Sequence, residues 1–220
     1  MRIAFVNPNA TASMTAKVAE AARSAASPGT EILAFTNTDG PASIQGEADG
    51  EAATPGLLAI LLREREAADA FVVACFDDTA LAEARAVAGK PVLGIGEAAF
   101  LAAAENGRRF SVVTTLSISV PIIEANIAAY GLEPACLRVR ASEVPVLALE
   151  EEGGAARETV AAEIGRALEE DRPDAIVLGC AGMADLADAF ATRFGLPVID
   201  GVFAAVRRLE AGHRPDAPGL

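Results

Sequence analysis

The sequence predicts an α/β fold of two similar lobes, each a four-stranded parallel sheet flanked by helices, related by pseudo-twofold symmetry. Two observations carry that prediction. First, short apolar runs rich in β-branched residues alternate with alanine-rich stretches along the 220 residues, the pattern of parallel strands joined by crossover helices. Second, the chain repeats itself: Asp69-Ala-Phe-Val-Val-Ala-Cys75 aligns with Asp174-Ala-Ile-Val-Leu-Gly-Cys180, 105 residues later. An alanine-rich helical stretch follows each cysteine, then Gly89-Lys90-Pro91-Val92-Leu93 in one copy and Gly195-Leu196-Pro197-Val198-Ile199 in the other. The copies also begin alike, with Arg2-Ile-Ala-Phe-Val-Asn7 against Arg109-Phe-Ser-Val-Val-Thr114.

The elements follow in order. Ile3 to Asn7 is an apolar strand closed by Asn7-Pro8-Asn9, and Thr11 to Ala25 has the composition of a helix. Glu31 to Thr36 is the second strand and Ala52 to Glu66 the second helix. Ala70 to Cys75 and Pro91 to Ile95 are strands, separated by a helix from Ala80 to Ala88 that Gly89 stops. A helix from Glu97 to Asn106 leads into the second copy. There the strands are Phe110 to Thr114, Ala135 to Arg140, Ala175 to Cys180 and Leu196 to Ile199. The helices are Ser117 to Tyr130, Ala155 to Glu170, Met183 to Phe194 and Val202 to Ala211.

Composition narrows the function. At roughly 150 residues per domain the length allows one large or two small domains. A formal net charge of −13 argues against nucleic-acid and acidic-membrane partners, which need basic patches, and favours a small-molecule substrate. No apolar run approaches the roughly 18 residues that cross a bilayer, and the first residues read as a strand rather than an export signal, so the expected location is the cytoplasm. The three cysteines form no CxxC pair, and the single histidine, His213, lies in a polar tail. Disulfide frameworks, zinc sites and a Ser-His-Asp triad are therefore poorly supported.

The repeat puts Cys75 and Cys180 at equivalent strand-to-helix turns, facing one cleft between the lobes, beyond the carboxyl ends of the strands. Cys136 has no repeat partner and reads as core. A thiolate is a competent base, and a helix amino terminus is expected to lower its pKa. A thiolate on one face of a carbon acid and a thiol on the other can remove one proton and return another, inverting the centre without a cofactor or metal. Asn7, Asn9, Thr114, Thr115 and the backbone N–H groups after each cysteine are candidate donors to the developing enolate.

Four blocks carry a family resemblance: Val6-Asn7-Pro8-Asn9-Ala-Thr11-Ala-Ser-Met14-Thr15, Gly40-Pro-Ala-Ser-Ile44-Gln-Gly46, Ala74-Cys75-Phe76-Asp77-Asp78, and Leu178-Gly179-Cys180-Ala181-Gly182-Met183. Together they resemble the hydantoin racemase branch of the aspartate/glutamate racemase superfamily, in one register from Arg2 to about Arg208. The resemblance implies cofactor-independent racemisation with Cys75 and Cys180 as the acid/base pair, and a homo-oligomer. It implies a substrate pocket with contributions from Asn7, Asn9, Ile44, Phe76, Asp77, Asp78, Thr114, Thr115, Ala181, Gly182 and Met183. It also implies that the last helix returns to the first lobe, which would comprise residues 1–96 and 200–220, with 97–199 as the second. Two departures stand out. Hydantoin and allantoin racemases commonly carry Pro-Gly-Leu where this chain has Thr79-Ala80-Leu81, and glutamate racemases carry Asn-Thr and Thr-His where it has Phe76-Asp77 and Ala181-Gly182.

No lysine or arginine occurs in Ala74 to Leu81 or Leu178 to Leu186, which suits a neutral ring with N–H donors better than an anionic substrate. Blander roles stand beside these. Asp77 and Asp78 are well placed to cap the helix after Cys75, Asn7 and Asn9 to shape a turn, and Phe76 to fill core. The Gly40 to Gly46 loop reads as surface, and the acidic Glu150 to Glu152 run as a solvated helix start. The expected function is racemisation of 5-substituted hydantoins or a similar cyclic ureide such as allantoin. An arylmalonate decarboxylase-like or maleate isomerase-like reaction and a two-lobed binding protein remain alternatives.

Overall fold

The computed structural model describes residues 1–150 and 154–212. Its first half runs β1 (Arg2–Asn7), α1 (Ala12–Ala25), β2 (Glu31–Thr36), α2 (Glu47–Glu64), β3 (Ala70–Val73), α3 (Leu81–Ala88), β4 (Val92–Gly94) and α4 (Ile95–Ala104). The second half runs β5 (Phe110–Thr114), α5 (Val120–Ala129), β6 (Cys136–Ala141), α6 (Ala155–Glu170), β7 (Ala175–Gly179), α7 (Ala187–Phe194), β8 (Val198–Ile199) and α8 (Gly201–Gly212). The two four-stranded sheets have orders β2-β1-β3-β4 and β6-β5-β7-β8, so the α/β class and the duplicated topology are both present. All pairings are parallel.

The repeat extends to individual hydrogen bonds. The Asp69 carboxylate accepts the Arg2 N–H at 2.7 Å, and the Asp174 carboxylate accepts that of Arg109 at 2.8 Å. Phe71 N–H donates to the Pro91 carbonyl as Ile176 N–H does to that of Pro197, each at 2.9 Å. Gly89 and Gly195 end α3 and α7 at φ 61° and 73°, a left-handed conformation that glycine adopts without cost.

Several boundaries differ from the sequence expectation. β3 and β7 stop at Val73 and Gly179, so each cysteine lies just past its strand. α2 starts at Glu47 rather than Ala52, because Gly46 at φ 99° turns the chain inward and Glu47 and Asp49 suit the positive helix end. The breakers Gly50 and Pro55 are absorbed inside it, and Gly56 is required because a Cβ there would collide with the Asn37 side chain. The stretch Ala181–Leu186 winds as a 3-10 helix before α7, and α4 starts at Ile95, where a carboxylate from elsewhere caps it.

One core runs through both sheets. Phe100 of α4 stacks on Phe110 of β5 at 6.0 Å between centroids and meets Phe76 edge-on at 5.2 Å. α8 packs on α1 and α4, and its Glu210 carboxylate accepts the Ser27 N–H and hydroxyl, each at 2.7 Å. Among the described residues no helix is long and apolar enough to cross a membrane. His213, Glu151 and Glu152 lie outside the described residues. Glu150 is not at a solvated helix start: it ends a 3-10 turn, Val146–Glu150, and pairs at 2.7 Å with Lys17 of α1. The Lys17 ammonium also donates to the Leu149 carbonyl. That turn replaces the expected helix start because α6 begins only after Gly154, at φ 77°.

Candidate active site

The strands place the cysteines. Because β3 and β7 occupy equivalent positions beside β1 and β5, the chain leaves both at the same edge of the molecule and turns in the same way. Asp78 N–H donates to the Cys75 carbonyl at 3.1 Å and Met183 N–H to that of Cys180 at 3.0 Å. Two residues beyond each cysteine a backbone N–H, of Asp77 or of Gly182, acts on its sulfur in the direction that favours a negative charge.

Both thiols line one cavity of about 30 Å³, room for about one water molecule. Asn9, Ile44, Phe76, Asp77, Thr114, Thr115 and Ala181 line it as well. So do Met14, Ala74, Ser119, Val146 and Gly179. Beyond Ile44 and Asp77, which border both, lies an outer chamber of about 640 Å³ between α2, α3 and α5. A separate cavity of about 870 Å³, between α1, α4, α7 and α8, contains neither cysteine.

Asp77 is fixed from the opposite lobe. The Ser119 hydroxyl donates to its carboxylate at 3.1 Å, and the Asn126 amide donates to its carbonyl at 2.9 Å. Burial lifts its pKa to about 6, against the stabilising Ser119 bond. Asp78 does other work. Its oxygens accept N–H bonds from Gly96 and Glu97 at 3.0 and 2.8 Å, so it caps α4 rather than the helix that follows it. Tyr130 donates a third bond at 2.8 Å. Burial lifts the Asp78 pKa to about 7 despite these donors, and Gly94 must lack a side chain because a Cβ would run into this carboxylate.

Asn7 stands behind the cavity, donating to Asn9 at 2.9 Å and to Thr15 at 3.0 Å, so it orients Asn9. The Thr114 hydroxyl is spent on the Gly179 carbonyl at 2.8 Å. Gly182 contributes its N–H to Cys180, while Met183 is fully buried in the core of the second lobe. Phe76 both borders the cavity and packs in the core. Cys136 is half-buried and lies outside the cavity. Four residues expected at the pocket, Asn7, Asp78, Gly182 and Met183, thus support its wall without forming it.

Sequence reasoning missed Ser119 and Val146. Ser119 carried a usable signal, since Ser117-Ile118-Ser119 precedes Pro121 and so marks a helix start near the end of β5. Val146 carried none, because its segment between β6 and α6 shares no sequence with the segment between β2 and α2 that holds Ile44 at the matching place in the fold.

The thiols depart from expectation. Burial pushes both up, Cys75 well above the usual thiol range and Cys180 to about 12, and the Asp77 carboxylate adds to each. Burial outweighs the helix-terminus effect, and among the described residues the cavity lining holds no lysine or arginine. Lys17, behind Cys180, is a cation that lowers the Cys180 pKa, opposed by Glu150 beside it. Both thiols therefore rest protonated, beside the Asp77 carboxylate.

The chain matches the Asp/Glu/Hydantoin racemase family over residues 3–209. It is 50% identical over 212 residues to a hydantoin racemase from Rhizobium meliloti, covering 96% of this chain and 88% of that one. Among solved structures it is similar to an allantoin racemase from Klebsiella pneumoniae, with a TM-score of 0.92 and 44% identity over 96% of this chain and 86% of that one. It is likewise similar to an allantoin racemase from Pseudomonas fluorescens, with a TM-score of 0.94 and 39% identity over 100% and 94% of the two chains. Sequence, duplicated fold and relatives agree that this chain belongs to the Asp/Glu/hydantoin racemase family.

Proposed function

We propose that this racemase inverts the carbon alpha to the carbonyl in 5-substituted hydantoins or a similar cyclic ureide such as allantoin, with Cys75 and Cys180 acting from opposite faces. The observation that carries the reading is the pairing of two thiols, delivered by equivalent strand ends, with the Asp77 carboxylate in one cavity whose described lining has no cation. A ring N–H satisfies Asp77, whereas a substrate carboxylate would be repelled by it. The names of the relatives, hydantoin and allantoin racemases, fit the same ring chemistry.

The mechanism follows from the charges. Anionic Asp77 raises both thiols, so a ring N–H that engages it withdraws that repulsion as the substrate binds. One thiol first gives up its proton to solvent water and, as thiolate, takes the proton from carbon, and the electron pair moves into the adjacent carbonyl as an enolate. The opposite thiol then protonates the other face, which leaves its own sulfur as the thiolate. Backbone N–H groups of Asp77 and Gly182 hold whichever sulfur is charged. Ile44 and Asp77 border both the inner cavity and the outer chamber, so a ring seated between the thiols enters past them.

The test is incubation in deuterium oxide with each enantiomer of 5-substituted hydantoins, allantoin and glutamate, following optical rotation and loss of the alpha proton by NMR. The expected result is inversion with deuterium incorporation for a cyclic ureide and none for glutamate. Inversion of glutamate alone would overturn the assignment.

A further inference from the structure

Thr79 stands where hydantoin and allantoin racemases commonly carry proline, and the structure gives its hydroxyl an unusual setting. The side chain is 7% exposed, and its oxygen is fully buried with no conventional hydrogen-bond partner. Unmet polar groups of this kind are costly, which makes their position informative. Its methyl group lies over Gly50 of α2, where a Cβ would sit 3.7 Å from it, so the hydroxyl is turned from that helix. The flanking residues, Asp78 and Ala80, both adopt left-handed conformations, at φ 49° and 52°. Ala80 occupies the place of the usual glycine, and a non-glycine residue held there costs energy that the rest of the loop must offset. Thr79 directly follows the turn that Asp78 N–H closes onto the Cys75 carbonyl, and its side chain acts on the Cys75 sulfur in the direction that favours a negative charge.

We propose that Thr79 is a positioning residue: its hydroxyl donates a hydrogen bond to the Cys75 sulfur whenever that sulfur carries a negative charge, a donor that a proline at this place cannot provide. The two thiols are then supported differently. Cys75 receives the Asp77 N–H and the Thr79 hydroxyl, whereas Cys180 receives the Gly182 N–H and, at longer range, the Lys17 charge. The charged or titratable groups that act on Cys75 are Asp77 and Cys180, both of which oppose its ionisation. Thr79 borders the outer chamber and not the inner cavity, and its hydroxyl oxygen is fully buried, so the hydroxyl works through Cys75 and not on the substrate. The inference deepens the two-cysteine reading, and its test is independent of which substrate is turned over.

The experiment follows iodoacetamide alkylation of Cys75 and Cys180, each read by peptide mass spectrometry, as a function of pH in the full-length protein. Loss of one charge-assisted bond of about 1.5 kcal/mol is about tenfold in thiolate population. Thr79→Val and Thr79→Pro are both donor-free, so poor folding of one leaves the other to decide. The expected result is about tenfold slower alkylation at Cys75 at a pH below its pKa in either variant, an unchanged Cys180 profile, and wild-type behaviour in Thr79→Ser. An unchanged Cys75 profile, or equal slowing at both cysteines, would overturn the proposal. If the alkylation shift occurs but no cyclic ureide is inverted, the substrate reading fails and the role of Thr79 stands.

Discussion

The two lobes share a hydrogen-bonded skeleton and differ in how their side chains complete it. Val6 of β1 pairs with Phe35 of β2, and at the matching place Val113 of β5 pairs with Arg140 of β6. The first lobe thus puts an aromatic ring where the second puts a buried guanidinium. Arg140 donates to both Asp171 oxygens at 2.6 Å and to Glu163 at 3.1 Å. The amino termini of α4 and α8 differ in the same spirit. Asp200 caps α8 from the adjacent position, whereas Asp78 reaches α4 from the Cys75 loop. A carboxylate at the helix terminus is retained in both lobes, and its place in the sequence is not. Backbone pairing tolerates such exchanges because it depends on no particular side chain.

The cysteine turns show the functional side of this asymmetry. Asp77 occupies the position that Gly182 holds in the other copy, and only the Cys75 turn is bound to the opposite lobe through Ser119, Asn126 and Tyr130 among its described hydrogen bonds. The Cys180 turn instead packs apolar residues, with Met14 of α1 and Met183 in one cluster. Two chemically similar thiols are therefore carried on a polar seam and an apolar one.

Exchange of the sulfurs is the strongest way to break the comparison. Cys75→Ser and Cys180→Ser should each lower racemisation by about 10²-fold to 10⁴-fold, measured polarimetrically. Each variant should still exchange the alpha proton of one enantiomer, a different one in the two cases; exchange of both enantiomers by either variant sinks the division of labour. The sheet contrast is tested next. Arg140→Ala removes the guanidinium that Asp171 and Glu163 share, leaving them Ser111, Arg138 and Arg166, and should cost about 3 kcal/mol, the low end for a broken buried pair, in urea unfolding, whereas half-buried Phe35→Ala should cost less. Equal losses would show that the buried charges contribute nothing special.

Smaller effects sharpen the helix-terminus comparison. Gly94→Ala forces a methyl against the Asp78 carboxylate and should cost about 1–3 kcal/mol, while Asp200→Ala loses a cap and should cost about 1 kcal/mol; the reverse order would contradict the cap exchange. Last comes pH. Burial lifts Asp77 from its ordinary 3.8 to about 6, so its folded form binds the proton more tightly than its unfolded form. Its contribution to stability is complete below the ordinary value and is lost as pH rises through about 6. Melting temperatures of Asp77→Asn relative to wild type should therefore climb between pH 4 and pH 8. A constant offset across that range would refute the burial effect.

Much of this was legible in the sequence for a physical reason. A repeat of strand, turn and helix fixes backbone topology, and the Cys75 and Cys180 positions followed from it. Partners contributed through space were not legible. Nothing local says that Asp78 caps α4, because the capped helix lies 17 residues further on. The early start of α2 was hidden by Gly50 and Pro55, which tertiary packing overrode. The direction of the thiol pKa values was not legible because a helix terminus is visible in a sequence, while the burial of a side chain by distant elements is not.

The partition between the two cavities has a kinetic consequence for the proposed reaction. If substrate reaches the thiols only when Ile44 and Asp77 shift, the apparent affinity is the intrinsic one diluted by the fraction of time spent in that arrangement. Asn126, which ties down the Asp77 carbonyl from across the seam, would then set that fraction without touching the reacting carbon.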